Sequence, residues 1–147
     1  MSRMICRGVL CMFAIVASSA AVLADDKDEW KKLSGKWNIE KAVLMGADST
    51  EIFKTAKLTV EEGKYSVVFG EQEDKGTIKI DTAKKPKQMT IESTDGPNKG
   101  KIIMAIYEID GDTCKICYAL EGKDAPKEFE SKEGTQTLYV VYKRDKK

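Results

Sequence analysis

The chain has 147 residues, with 25 basic and 24 acidic side chains, four cysteines and no histidine. Charge so evenly balanced argues against nucleic-acid binding, which calls for a basic stripe, and against a polybasic membrane-surface role. The lack of histidine excludes Ser-His and Cys-His nucleophilic pairs.

Arg3 and Arg7 make a basic start, Val9 to Val16 (VLCMFAIV) is an apolar run, and Val22-Leu23-Ala24 sets small or apolar residues before Asp25. This is the pattern of a secretory signal peptide over residues 1–24. The apolar run is shorter than the ~20 residues of a spanning helix. Leu10, before Cys11, stands where lipid attachment needs a small residue. Removing the first 24 of the 147 residues leaves 123, one domain over 25–147. Losing Arg3 and Arg7 takes the basic count from 25 to 23 against 24 acids, a net charge of −1. The expected location is secreted or periplasmic, with no membrane span after cleavage.

Asp26 to Leu33 (DKDEWKKL) predicts a short polar helix with acids first and lysines last, ended by Ser34-Gly35. A strand follows from Gly35 to about Met45, with Trp37 and Ile39 on one face and Val43 as a further candidate. Gly46-Ala47-Asp48 turns the chain, and Ser49 to Thr55 starts like a helical turn capped by Ser49 or Thr50. Lys57–Glu61 and Lys64–Phe69 fold about Glu62-Gly63, pairing Val60 with Tyr65, Leu58 with Val67 and Glu61 with Lys64. Gly70 to Asp74 reads as a polar loop. Strands follow at Gly76–Asp81 and Gln88–Ser93, separated by a turn at Thr82 to Lys87 and closed by a dense turn signal at Thr94 to Gly100.

Lys101 to Leu120 is the clearest hairpin. With Asp110-Gly111 as its loop, Tyr107 pairs with Cys114, Ala105 with Ile116 and Ile103 with Tyr118. With Gly111-Asp112 instead, Ile109, Tyr107 and Ala105 meet Cys114, Ile116 and Tyr118. Either register buries one apolar face. Glu121 to Gly134 is a long polar loop with Phe129 placed to pin it, and Thr137–Arg144 is the last strand. About eight strands joined by short links predict an all-β, antiparallel up-and-down barrel with a short N-terminal helix. Closure removes the exposed sheet edges.

Cys114 and Cys117 form C-x-x-C within a strand. Residues three apart on a strand point to opposite faces about 10 Å apart at ~3.3 Å per residue, beyond the ~7 Å reach of a disulfide. Zinc would need more Cys or His. The expectation is two buried, reduced cysteines. Glu108, Asp110 and Asp112 cluster at one hairpin end, but the EF-hand spacing is absent and acids are ordinary turn residues. No nucleophile elbow or phosphate loop occurs, so no catalytic residue, metal or cofactor is assigned. The candidate ligand-lining residues are Tyr65, Val67, Phe69, Ile80, Ile91, Tyr107 and Tyr118. A filled core whose tyrosines bond to backbone explains the same faces.

Gly35-Lys36-Trp37 resembles the G-x-W motif of lipocalins, and Arg144 resembles the arginine that packs across that tryptophan and closes the barrel base. Leu33–Trp37, Lys64-Tyr65, Lys84–Lys87, Gly96–Lys101 (GPNKGK), Ile106–Leu120 and Tyr142–Arg144 also resemble a family of uncharacterised small secreted proteins abundant in planctomycete bacteria. The resemblance implies a lipocalin-like barrel with Trp37 and Arg144 as closing residues and no established activity. The leading expectation is non-catalytic binding, by a monomer, of a small apolar or amphipathic ligand outside the cytoplasm. The alternative is a protein-interaction module or inhibitor that uses its loops and has a filled core. An enzyme ranks third.

Overall fold

The computed structural model describes residues 20–121 and 124–146, with side chains from residue 27. Most of the leader-like stretch, residues 1–19, lies outside the described residues. Helix α1 (Ala20–Leu33) is followed by β1 (Gly35–Leu44), β2 (Ala47–Asp48), α2 (Thr50–Phe53), β3 (Lys57–Glu61), β4 (Lys64–Phe69) and β5 (Gln72–Asp81). Then come β6 (Lys87–Asp95), β7 (Ile102–Asp110), β8 (Thr113–Ala119) and β9 (Thr137–Arg144). Every pairing is antiparallel, and β9 returns to pair with β1. Eight strands, β1 and β3 to β9, thus close a barrel, while β2 is a two-residue extension folded onto the end of β1. Among the described residues, no helix is long and apolar enough to cross a membrane.

Alternation of apolar and polar residues sets the register. Val60 faces Tyr65, Leu58 faces Val67 and Glu61 faces Lys64, as the Glu62-Gly63 turn requires. In the β7–β8 hairpin the loop is Gly111-Asp112, so Ile109 meets Cys114, Tyr107 meets Ile116 and Ala105 meets Tyr118. The Asp110-Gly111 alternative fails because Gly111, at φ 57°, takes the first loop position and Asp110 pairs with Thr113.

Four local expectations are corrected. Helix α1 starts at Ala20 rather than Asp26, so its first turn carries no acid, although Lys31 and Lys32 do close its last turn. Its C-terminal end, led by Leu33, joins the core at the barrel base beside Trp37. In β1, the ladder slips one residue between Ile39 and Lys41. That bulge reverses the faces beyond it, so Ala42 rather than Val43 enters the core. Ser49 holds the N-cap position of α2, but its side chain makes no capping bond. Instead the Asp48 carboxylate accepts from the Thr50 N–H at 3.0 Å and from its hydroxyl at 2.6 Å. Those two bonds hold the Asp48 carboxyl below its ordinary range. Finally, β5 begins at Gln72, and only Gly70-Glu71 remains as loop, because Phe69 pairs with Gln72 and Val67 with Asp74.

The cysteines are free, buried and on opposite faces of β8. Cys114 belongs to the barrel core. Cys117 pairs with Ile106 outside that cluster, and both have no exposed surface. The loop between β8 and β9 covers them: the Cys117 thiol donates to the Glu130 carbonyl at 3.4 Å. Phe129, half-buried, borders a depression shared with Pro86, Glu108 and Ile109. The loop therefore runs down the outer wall of β7 and β8. Full burial of a side chain such as Ile106 is worth about 1.5–3 kcal/mol.

Burial pushes the Cys114 thiol from 9.0 up to about 12 and raises Cys117 as well. Burial of this kind leaves the Cys114 sulfur little of the reactive thiolate form. Native protein should therefore leave Cys114 unmodified by iodoacetamide under conditions that alkylate it fully in urea. Mass mapping that finds native Cys114 alkylated as fast as the unfolded residue would contradict the packing.

Candidate functional site: a cavity at one end of the barrel

The two ends of the barrel differ. At the base, the Arg144 guanidinium stacks over Trp37, its central carbon 4.3 Å from the ring centroid. Trp37 is 1% exposed and donates from Nε1 to the Leu33 carbonyl at 2.8 Å. Arg144 donates to the carbonyls of Ser34 (2.8 Å) and Lys32 (2.5 Å). The last carbonyls of a helix have no intrahelical donor, and here one indole and one guanidinium serve them. Asp112 meets Arg144 Nε at 3.5 Å and Lys146 Nζ at 2.8 Å. The bond to Lys146, with the nearby charges of Lys146, Arg144 and Lys143, holds the Asp112 carboxyl below its usual range. The Glu29 carboxylate of α1, nearly fully buried, pairs with Lys87 at 2.9 Å and ties the helix to β6. Among the described residues, no cluster of three or more metal-binding side chains forms.

The other end holds a cavity of about 330 Å³. That is near the lower end of the ~300–1,000 Å³ typical of small-molecule sites. Leu58, Val60, Ile78, Met89, Ile116 and Val140 form its floor and walls. Its mouth is built from loop and strand-end residues: Phe53 of α2, Phe69, Pro97, Asn98, Ile103 and Leu120. The Phe53 and Phe69 rings lie 6.0 Å apart. Ile52 and Ile102, 62% and 61% exposed, stand outside it.

Of the seven residues proposed from sequence, Tyr65, Val67, Phe69, Ile91 and Tyr118 line this cavity. Ile80 and Tyr107 do not. Both share the inward faces, but Ile80 lies near the end of β5 and Tyr107 near the end of β7, toward the base that α1 and Trp37 fill. There the face is core rather than wall. Sequence reasoning missed Tyr142, Leu138, Gln72 and Asp74 as lining residues. Tyr142 and Leu138 were readable from the alternation of β9. Asp74 lies in a polar run, Gly70 to Asp74, whose composition reads as a loop.

Besides Gln72 and Asn98, two hydrogen-bonded polar groups interrupt the apolar lining. The Tyr118 and Tyr142 hydroxyls share a 2.8 Å hydrogen bond. Burial, and for Tyr118 also its neighbour Tyr142, drives both phenols well above their ordinary range. On the facing side, Tyr65 donates to Asp74 Oδ2 at 2.9 Å and Ser93 donates to Asp74 Oδ1 at 2.6 Å. Burial, outweighing the Ser93 hydroxyl and helped by Asp74, pushes the Tyr65 phenol up to about 12. All three phenols are therefore neutral hydrogen-bonding groups at ordinary pH.

Close backbone approach shapes this second group. β5 and β6 slip register between Lys75 and Gly76, so Gly76 faces Ser93. A Cβ at Gly76 would lie 2.0 Å from the Glu92 carbonyl oxygen and 2.7 Å from the Tyr65 ring. The ring of Tyr65 thus occupies the space a side chain would fill. Gly96, the first residue of GPNKGK, presses onto the backbone of Glu73 and Asp74 in the same way. That contact sets Pro97 and Asn98 at the mouth.

No protein-family model and no curated protein matches this chain. Its functional reading therefore stands on the site.

Proposed function

We propose that this protein is an extracytoplasmic, non-catalytic binding protein for a small apolar or amphipathic molecule. The observation that carries the reading is the apolar cavity of about 330 Å³, sealed at the base by α1 and Trp37 and reached past Phe53, Phe69 and Pro97. Its wall carries only a few polar groups, the arrangement that fixes orientation in small-molecule sites. The leader-like residues 1–24, with the VLCMFAIV run, support export. The resemblance of Gly35-Lys36-Trp37 and Arg144 to lipocalin closing residues supports the same class of function.

Native mass spectrometry of protein recovered from its own cell envelope tests this. The expected result is an added mass of a small molecule that collisional activation removes, and that a Val67→Trp variant, which fills the cavity, no longer carries. Folded wild-type protein that neither carries an adduct nor takes up any apolar probe would overturn the reading. The exposed Ile52 and Ile102 favour a second reading, in which the rim docks a protein partner. That reading is favoured if binding survives Val67→Trp but fails when both isoleucines become serine.

A further inference from the structure

We infer that the molecule held in the cavity carries a cationic head, an ammonium or similar group, that pairs with the carboxylate of Asp74. This deepens the proposal above and rests on it. Among the described residues lining the cavity, Asp74 is the one charged side chain; the rest are apolar, aromatic or neutral. Its carboxylate accepts from the Tyr65 and Ser93 hydroxyls at 2.9 and 2.6 Å. An ionised carboxylate offers about four acceptor positions, so two bonds leave capacity for a ligand. The two hydroxyls fix the direction of the group without neutralising it.

Occupancy is what selects the charge. Asp74 is now half-buried and open to water through the cavity. A ligand that fills the space strips that water away. A desolvated carboxylate is costly unless a cation pairs with it. A neutral apolar ligand leaves that cost unmet, and an anionic ligand such as a fatty acid adds like-charge repulsion. An alkylammonium meets it, and the ring of Tyr65, bonded to the same carboxylate, offers the cation an aromatic neighbour. The built geometry supports a purpose beyond packing. The register slip at Gly76 makes room for the Tyr65 ring that bonds this acid, and the backbone of Gly96 packs directly against Asp74.

Calorimetric titration of the folded protein with octylammonium, octanol and octanoate at neutral pH tests the inference. The three probes share a chain and differ in head charge. An alkylammonium is protonated there, as a lysine amine with pKa ~10.4 is. Octylammonium should bind at least about tenfold tighter than octanol, with octanoate weakest, since a tenfold ratio is only ~1.4 kcal/mol. Asp74→Asn keeps an acceptor for Tyr65; it should abolish the ammonium preference, and octanol, no longer desolvating a charge, should bind at least as tightly as it does to the wild type. Ser93→Ala, which retains the carboxylate, should preserve the order of the three probes. Octanol binding with no ammonium preference, or a preference that survives Asp74→Asn, would overturn the inference and leave the cavity reading standing. Binding of none of the three would remove the cavity reading and this inference with it.

Discussion

Trp37→Ala should destabilise the protein by about 3–5 kcal/mol, the range for truncating a buried tryptophan. The ring is 1% exposed and sits between the helix end and the barrel floor. Its loss opens a void, removes the donor to the Leu33 carbonyl and leaves Arg144 nothing to stack on. Against a typical domain stability of ~5–15 kcal/mol this is a large share. Urea denaturation should show the midpoint falling accordingly, and a shift of under about 1 kcal/mol would refute the role of Trp37 as the base of the core. Arg144→Ala should cost less, because the stack contributes ~0.5–2 kcal/mol. Arg144→Lys should recover only part of it, since an ammonium can neither lie flat on the indole nor fork between the Lys32 and Ser34 carbonyls.

Gly76→Ala is expected to cost about 3 kcal/mol or more, the upper end for overpacking. The added methyl would sit 2.0 Å from the Glu92 oxygen, a backbone atom of the neighbouring strand, and 2.7 Å from the Tyr65 ring. The ring can rotate away. The carbonyl can move only if the β5–β6 ladder opens. The variant should therefore lose stability and also disturb the Tyr65–Asp74–Ser93 bonds, which a shift in tyrosine fluorescence or in the Ser93 amide resonance would register. Full stability in thermal melts would contradict the close approach.

The residues that were easy to read are those whose neighbours in sequence are also neighbours in space. Val60, Tyr65, Leu58 and Val67 could be paired from the turn dipeptide alone, because a two-residue loop leaves one register. The hairpin at Gly111 was readable to within one residue for the same reason. Bulges were not. The slip after Ile39 and the slip at Lys75 each add one residue to a ladder and leave no mark in composition, yet each changes which side chains face inward. Asp74 was lost twice over. It sits among polar neighbours, and a carboxylate on an inward face breaks the alternation used to find strands. The depth of each inward residue also stayed hidden. Tyr107 and Tyr118 obey the same alternation, but one packs at the plugged end and the other at the cavity, a difference set by α1, which is far away in sequence.

The seam between β1 and β9 has a consequence for how the chain assembles. Ser34 and Arg144, which share a hydrogen bond there, are 110 positions apart. Apart from the small β2 excursion, the other strands of the barrel pair with their neighbours in the chain. Those hairpins close short loops and form early, whereas this last pairing must gather nearly the full domain before it yields any stabilisation. A chain still emerging from its ribosome, or one cut before Thr137, would hold an ordered but open sheet with β1 and β8 as bare edges. Such a sheet can add strands from other copies of itself. Completion of the ring is thus the step that separates a closed barrel from an aggregation-prone ribbon, and it waits on the final eight-residue strand.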